Sequence, residues 1–165
     1  MEDNAPFPTH ISMESVLGFW SQLARTGRQF VQLTPACRAE ESGWAHLDQL
    51  LFFFLSFYSL RDWLRECAPA ALAKWNGRFN GQFEWRVCRD TATRFKHLKI
   101  TSPSLKHPLT LAREYCPPNQ LRVMVIGPDE PMPLYDVAAR LWSELNGFVR
   151  EADQAGLLPP RERDY

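Results

Sequence analysis

From Leu47 to Leu64 the chain runs eighteen residues without a glycine or a proline, and twelve of them are apolar, among them Leu50, Phe53, Phe54, Phe57, Leu60 and Trp63. A helix that is apolar around most of its circumference has to be covered on more than one side. The stretch is therefore the central helix of a bundle or in part a dimer or partner interface, with Phe53, Phe57 and Trp63 as its interface residues. A buried strand over Leu50 to Leu55 is the competing reading, and the uninterrupted length favours helix. The most apolar part, Leu50 to Leu60, is closed by Asp48 on one side and Arg61-Asp62 on the other. A membrane span needs ~20 apolar residues, so these eleven are read as core, and no membrane partner is expected.

The rest of the chain fits one domain built on that helix. A length of 165 residues suits a single core, and thirteen prolines exclude a simple coiled coil. Residues 1–12 form a polar arm with two prolines and two acids. With no basic n-region and no apolar h-region, the expectation is a cytoplasmic protein. The scattered cysteines Cys37, Cys67, Cys88 and Cys116, none in a C-x-x-C pair, are read as reduced buried thiols. The domain proper is expected over 13–156, with a mobile tail at 157–165.

Within it, Val16, Leu17, Trp20, Leu23 and Ala24 predict a first helix that weakens near Thr26-Gly27. Thr34-Pro35 reads as the start of a short helical piece, with threonine as cap and proline at the first helical position. Trp85, Cys88, Ala92, Phe95 and Leu98 predict a helix over 84–98. Period-two patterning and the Pro117-Pro118-Asn119-Gln120 connection then predict a β-hairpin around 109–126. Pro133 opens a last helix, whose apolar face includes Leu134, Val137, Leu141, Leu145 and Phe148. The expected fold is mainly α: four to five helices with a small hairpin between the third and the last.

The net charge is zero, from nineteen basic and nineteen acidic residues, but it is not evenly spread. Lys74 to Arg113 holds nine basic residues against only Glu84 and Asp90, so this segment is +7 and the remainder −7. Such asymmetry is what an anion-binding face needs, and it excludes only a uniform polycation. The alternative is a solvated helix face whose charge the acidic remainder neutralises in three dimensions.

Inside the basic segment, Arg89-Asp90-Thr91-Ala92-Thr93-Arg94-Phe95-Lys96-His97 collects the side chains that phosphodiester chemistry uses. At about 100° per residue, Asp90, Arg94 and His97 fall within ~60° of one another, with Arg89, Thr93 and Lys96 on the adjacent face. Histidine transfers protons near neutral pH, and guanidinium groups hold phosphate and offset its developing charge. His97, Arg89, Arg94 and Asp90 are therefore the candidate catalytic residues, with Lys96, Lys99 and Arg86 as anion-binding neighbours. The structural alternatives are a helix-end histidine and a surface Asp90–Arg94 ion pair. Arg61-Asp62, set in an apolar helix, predicts an ionic clasp with its neighbours or with Arg89-Asp90.

An apolar helix running into Phe57-Tyr58-Ser59-Leu60-Arg61-Asp62-Trp63-Leu64, followed by a helix with Arg89-Asp90 and Lys96-His97, resembles the HEPN (higher eukaryote and prokaryote nucleotide-binding) superfamily. The likeness covers Leu47 to Leu98, about a third of the chain. It implies a dimeric helical bundle and, for many members, metal-independent ribonuclease activity in toxin–antitoxin, phage-defence or CRISPR systems. The family signature is an arginine, four to six residues, then a histidine. Here seven residues separate Arg89 from His97, and two separate Arg94 from it. On an ideal helix Arg89 lies ~12 Å along the axis from His97, so the two meet only through a kink or a second subunit.

Two readings follow from the resemblance. In one the protein binds or cleaves RNA through the basic helix. In the other it is a non-catalytic homodimeric interaction protein or an antitoxin-like partner of a cognate protein. No Gly-rich phosphate loop, zinc-ligand spacing or nucleophile elbow is present in the sequence, so no metal or cofactor is expected.

Overall fold

The computed structural model describes residues 18–41, 43–96, 110–127 and 130–161. Among them are five helices: α1 (Phe19–Gln32), α2 (Gly43–Cys67), α3 (Pro69–Phe79), α4 (Phe83–Lys96) and α5 (Leu134–Gln154). The strands are β1 (Cys37–Arg38), β2 (Thr110–Cys116), β3 (Gln120–Ile126) and β4 (Met132–Pro133). The protein is thus mainly helical with a small antiparallel sheet. The proposed arm, the start of the first helix, Leu98 and the last four residues lie outside the described residues.

Helix α2 is longer than its apolar run and packs against α1, α3, α4, α5 and β1. Leu50, Phe53, Phe54, Phe57, Leu60 and Leu64, at steps of three and four, have no exposed surface. This corrects the interface reading of Phe53 and Phe57: both face the core of their own chain, because four other helices cover that side of α2. Trp63 is half-buried at the core's edge. The large apolar side chains that α2 does present outward are Trp44 and Phe52, at 64% and 50% exposure.

Helix α3 has no counterpart in the expected elements. Pro69 occupies the first helical position of α3, with Ala68 alone as the link from α2. Ala71, Trp75 and Phe79, one turn apart, deliver its buried face. Trp75 is the hub of the core: its ring lies 4.4 Å from Phe79, 5.2 Å from Phe148, 5.6 Å from Phe57 and 5.6 Å from Trp85. Four helices therefore meet at one indole.

Two other expectations are corrected near the N-terminus. Helix α1 continues past Thr26-Gly27 to Gln32. Thr26 stays helical because its hydroxyl donates back to the Gln22 carbonyl (2.9 Å) and shares a bond with the Ser56 hydroxyl (2.8 Å). Gly27 serves close approach, since a Cβ there would stand 3.0 Å from the Trp142 ring. Thr34-Pro35 starts no helix. The Thr34 hydroxyl donates to the Ala36 carbonyl, and the chain enters β1, pairing Cys37 with Leu121 and Arg38 with Gln120. An open edge of β3 satisfies these backbone groups better than a single helical turn would.

The hairpin pairs β2 with β3 from Thr110↔Ile126 to Cys116↔Gln120, and Asn119 takes a positive φ of 55° in the turn. Strands β1 and β4 both pair with β3, which also packs on α5. Helix α5 ends at Gly156 (φ 65°), where Leu157 N–H donates to the Ala152 carbonyl. The chain beyond it is not loose through Arg161: Trp20 donates its indole N–H to the Pro159 carbonyl (2.9 Å). Arg161 lies over the Trp20 ring and pairs with Asp153. Residues 157–161 therefore pack against α1 and the end of α5. All four cysteines are free; Cys88 is buried, whereas Cys67 is exposed rather than buried as expected.

Candidate anion-binding cleft

Helices α2 and α4 lie side by side, and each carries an i, i+3 pair on the shared margin: Tyr58 and Arg61 on α2, Arg86 and Arg89 on α4. With Trp85, and with Asn80 at the α3–α4 turn, these residues line a cleft of about 380 Å³. Tyr58 stacks on Trp85 with ring centroids 5.8 Å apart and 17° between planes. Trp85 in turn packs against Trp75, so the aromatic wall is anchored in the core.

Three guanidinium groups converge here, and among the described residues none has a carboxylate within ion-pair distance. Arg61 reaches only the Asn76 side-chain carbonyl, at 3.4 Å, and Arg86 only the Gly81 carbonyl, at 3.3 Å. Arg86 Nε is buried with no partner. Several arginines elsewhere are paired: Arg78 with Glu144 (2.9 Å) and Glu151 (3.0 Å), Arg140 with Glu84 (2.9 Å), Arg122 with Glu114, and Arg65 with Asp62 (3.2 Å). The +7 segment therefore divides. Its first part, Lys74 and Arg78, is neutralised by α5, whose Glu151 is held below the usual carboxylate range by hydrogen bonds from Arg78 and Lys74. Arg113 lies over Trp44. Arg86 and Arg89 keep their charge for the cleft.

Of the two expected clasps, the pairing with a neighbour forms, between Asp62 and Arg65, and the one with Arg89-Asp90 does not. Asp62 turns outward to Arg65, and Arg61 faces the same cavity as Arg89. Asp90 also departs from the solvent-facing dyad expected with Arg94: Asp90 is 2% exposed, whereas Arg94 is exposed. The reason is the double packing of α4 against α2 and α5, which buries the arc holding Val87, Asp90 and Thr91. Arg94 lies ~7.5 Å further along α4 than Arg89 and does not line the cleft. His97 and Lys99 lie outside the described residues, as does the side chain of Lys96. Of the expected residues, the structure brings Arg86 and Arg89 together. It adds Arg61, Tyr58, Trp85 and Asn80; the i, i+3 spacing of Tyr58 and Arg61 puts those two on one face of α2 but does not say which neighbour that face meets.

A second cleft of about 500 Å³ opens between the end of α1, β1 and the start of α2, where Cys37, Glu41, His46 and Gln49 are among the lining residues. His46 is 5% exposed, and its Nε2 is buried without a partner. Burial lowers its pKa below the ordinary 6.5, against a smaller opposing pull from Glu41. Because the unfolded chain then binds the proton more readily, stability is full above pH 6.5 and is lost as pH falls through the depressed folded value. Thermal unfolding followed from pH 7.5 downward should show this loss, and His46→Gln should flatten that part of the profile.

Among the described residues no helix is long and apolar enough to cross a membrane, and no group of three His, Cys, Asp or Glu side chains is placed to hold a metal ion. No family model matches the chain, no curated protein matches it, and no solved structure matches its fold.

Proposed function

We propose that this chain is an RNA-binding protein of the HEPN-like type, acting in the bacterial cytoplasm in a toxin–antitoxin or phage-defence setting and holding RNA phosphate in the α2–α4 cleft. The observation that carries the reading is the convergence of Arg61, Arg86 and Arg89 on one cavity without carboxylate partners among the described residues. Uncompensated guanidinium groups repel one another and gain most from a phosphate, whose oxygens accept their forked donors. Tyr58, backed by Trp85, gives the same cavity an aromatic wall, the usual complement to cations in single-strand recognition.

In the catalytic form of this reading, His97 moves the proton as a ribose 2′-hydroxyl attacks the adjacent phosphorus and the 5′-oxygen leaves, while arginine stabilises the charge on the phosphate. The second reading, a homodimer or partner-docking protein without catalysis, draws on the exposed Trp44 and Phe52 of α2 and on the burial of Asp90.

Single-stranded RNA incubated with the protein in excess chelator separates the two. Cleavage by the wild type and its loss in His97→Ala support the catalytic form; binding by both without cleavage supports RNA binding without catalysis, and no binding by either leaves only the second reading. One phosphate held in the cleft predicts a shallow slope of about −0.7 for log affinity against log salt on single strands. Absence of RNA binding at low salt contradicts the proposal.

A further inference from the structure

We infer that the α2–α4 cleft selects a phosphate monoester, the terminal phosphate of a nucleotide, over the internal phosphodiesters of an RNA strand. The inference rests on the proposed reading of this cleft as a phosphate site and names what the site discriminates.

The first argument is charge. A phosphate monoester carries about −1.5 to −2 at pH 7, whereas a diester in a strand carries a single negative charge. Arg61, Arg86 and Arg89 supply three positive charges to one cavity, and among the described residues no carboxylate pairs with them. Of the acids nearest these arginines in sequence, Asp62 and Glu84 are engaged by Arg65 and Arg140, and Asp90, next to Arg89, is buried and does not line the cavity. A third oxygen on the monoester also gives each guanidinium its own acceptor.

The second argument is shape. A groove that tracks a single strand spreads its cations along the path and offers successive aromatic platforms. Here the cations line one small cavity: Arg86 and Arg89 stand one helical turn apart on α4, with Arg61 on the neighbouring α2. At about 380 Å³ the cavity lies at the low end of the ~300–1,000 Å³ typical of small-ligand sites, the scale of one nucleotide. Its two rings are stacked one behind the other, so they form one platform rather than a series. Asn80 adds an amide able to donate to and accept from a base edge.

A free nucleotide and a 5′-phosphorylated RNA end present the same group, and calorimetric titration of the full chain distinguishes them. Four ligands are compared: a short 2′-O-methyl oligoribonucleotide with a 5′-phosphate, its 5′-hydroxyl twin, 5′-AMP and adenosine. The 5′-phosphorylated strand should bind about tenfold tighter than its twin. The gap should close in Arg61→Gln and in Arg89→Gln, the latter a substitution of an exposed side chain that leaves the core intact. Equal affinity of the twins, with both binding, overturns the inference and leaves the RNA reading standing. Binding of 5′-AMP but not adenosine, with neither strand bound, supports monoester selection and overturns the RNA reading. No heat with any of the four overturns both.

Discussion

Trp75→Ala is expected to destabilise the fold by about 3–5 kcal/mol, the range for removing a large aromatic side chain from a close-packed core. The indole has no exposed surface and touches rings from α2, α3, α4 and α5, so its loss opens a cavity that no single helix can move to fill. Trp75→Phe should cost much less. Its Nε1 is buried without a hydrogen-bond partner, a burden of about 1–3 kcal/mol that phenylalanine does not carry. Chemical denaturation of the three proteins checks the contrast, through a large midpoint drop for alanine and a small change for phenylalanine. Equal losses for both would mean that the indole is not the hub of the core.

The route from sequence to structure was clear where the residues left one solution. Eighteen positions without a breaker and with twelve apolar side chains favoured a covered helix over a buried strand, and α2 is one. What a one-dimensional pattern could not resolve was which neighbour covers which side, and Phe53 and Phe57 were assigned to an interface that the other helices already occupy. Proline shows the same limit. A residue that opens a helix as readily as it follows one opened α3 at Pro69, yet led into β1 after Pro35, because β3 offered an edge there. In the cleft, Arg86 and Arg89 were legible from charge counting. Arg61 was not, since its direction is set by the packing of α2 on α4 and by Asp62 turning to Arg65. Asp90 misled because a helical wheel places residues on a face without saying that two helices bury it.

The cleft carries the second large effect. Arg61→Glu combined with Arg89→Glu replaces two of the three guanidinium groups with carboxylates. Losing two charge-assisted contacts of ~1.5–3 kcal/mol each, before any repulsion is counted, corresponds to about a hundredfold weaker binding or more. Neither arginine has a carboxylate partner among the described residues, so no ion pair among them is lost, and the unfolding midpoint should move by only a few degrees. Arg94→Glu is the matched control, because that residue is exposed on the same helix and stands outside the cleft. The most direct test of the account is the equilibrium affinity of these proteins for one single-stranded RNA at fixed salt. The predicted result is a loss of about two orders of magnitude in the double variant and a small change in Arg94→Glu. Wild-type affinity in the double variant, or an equal loss in Arg94→Glu, would show that the α2–α4 cleft does not hold the phosphate.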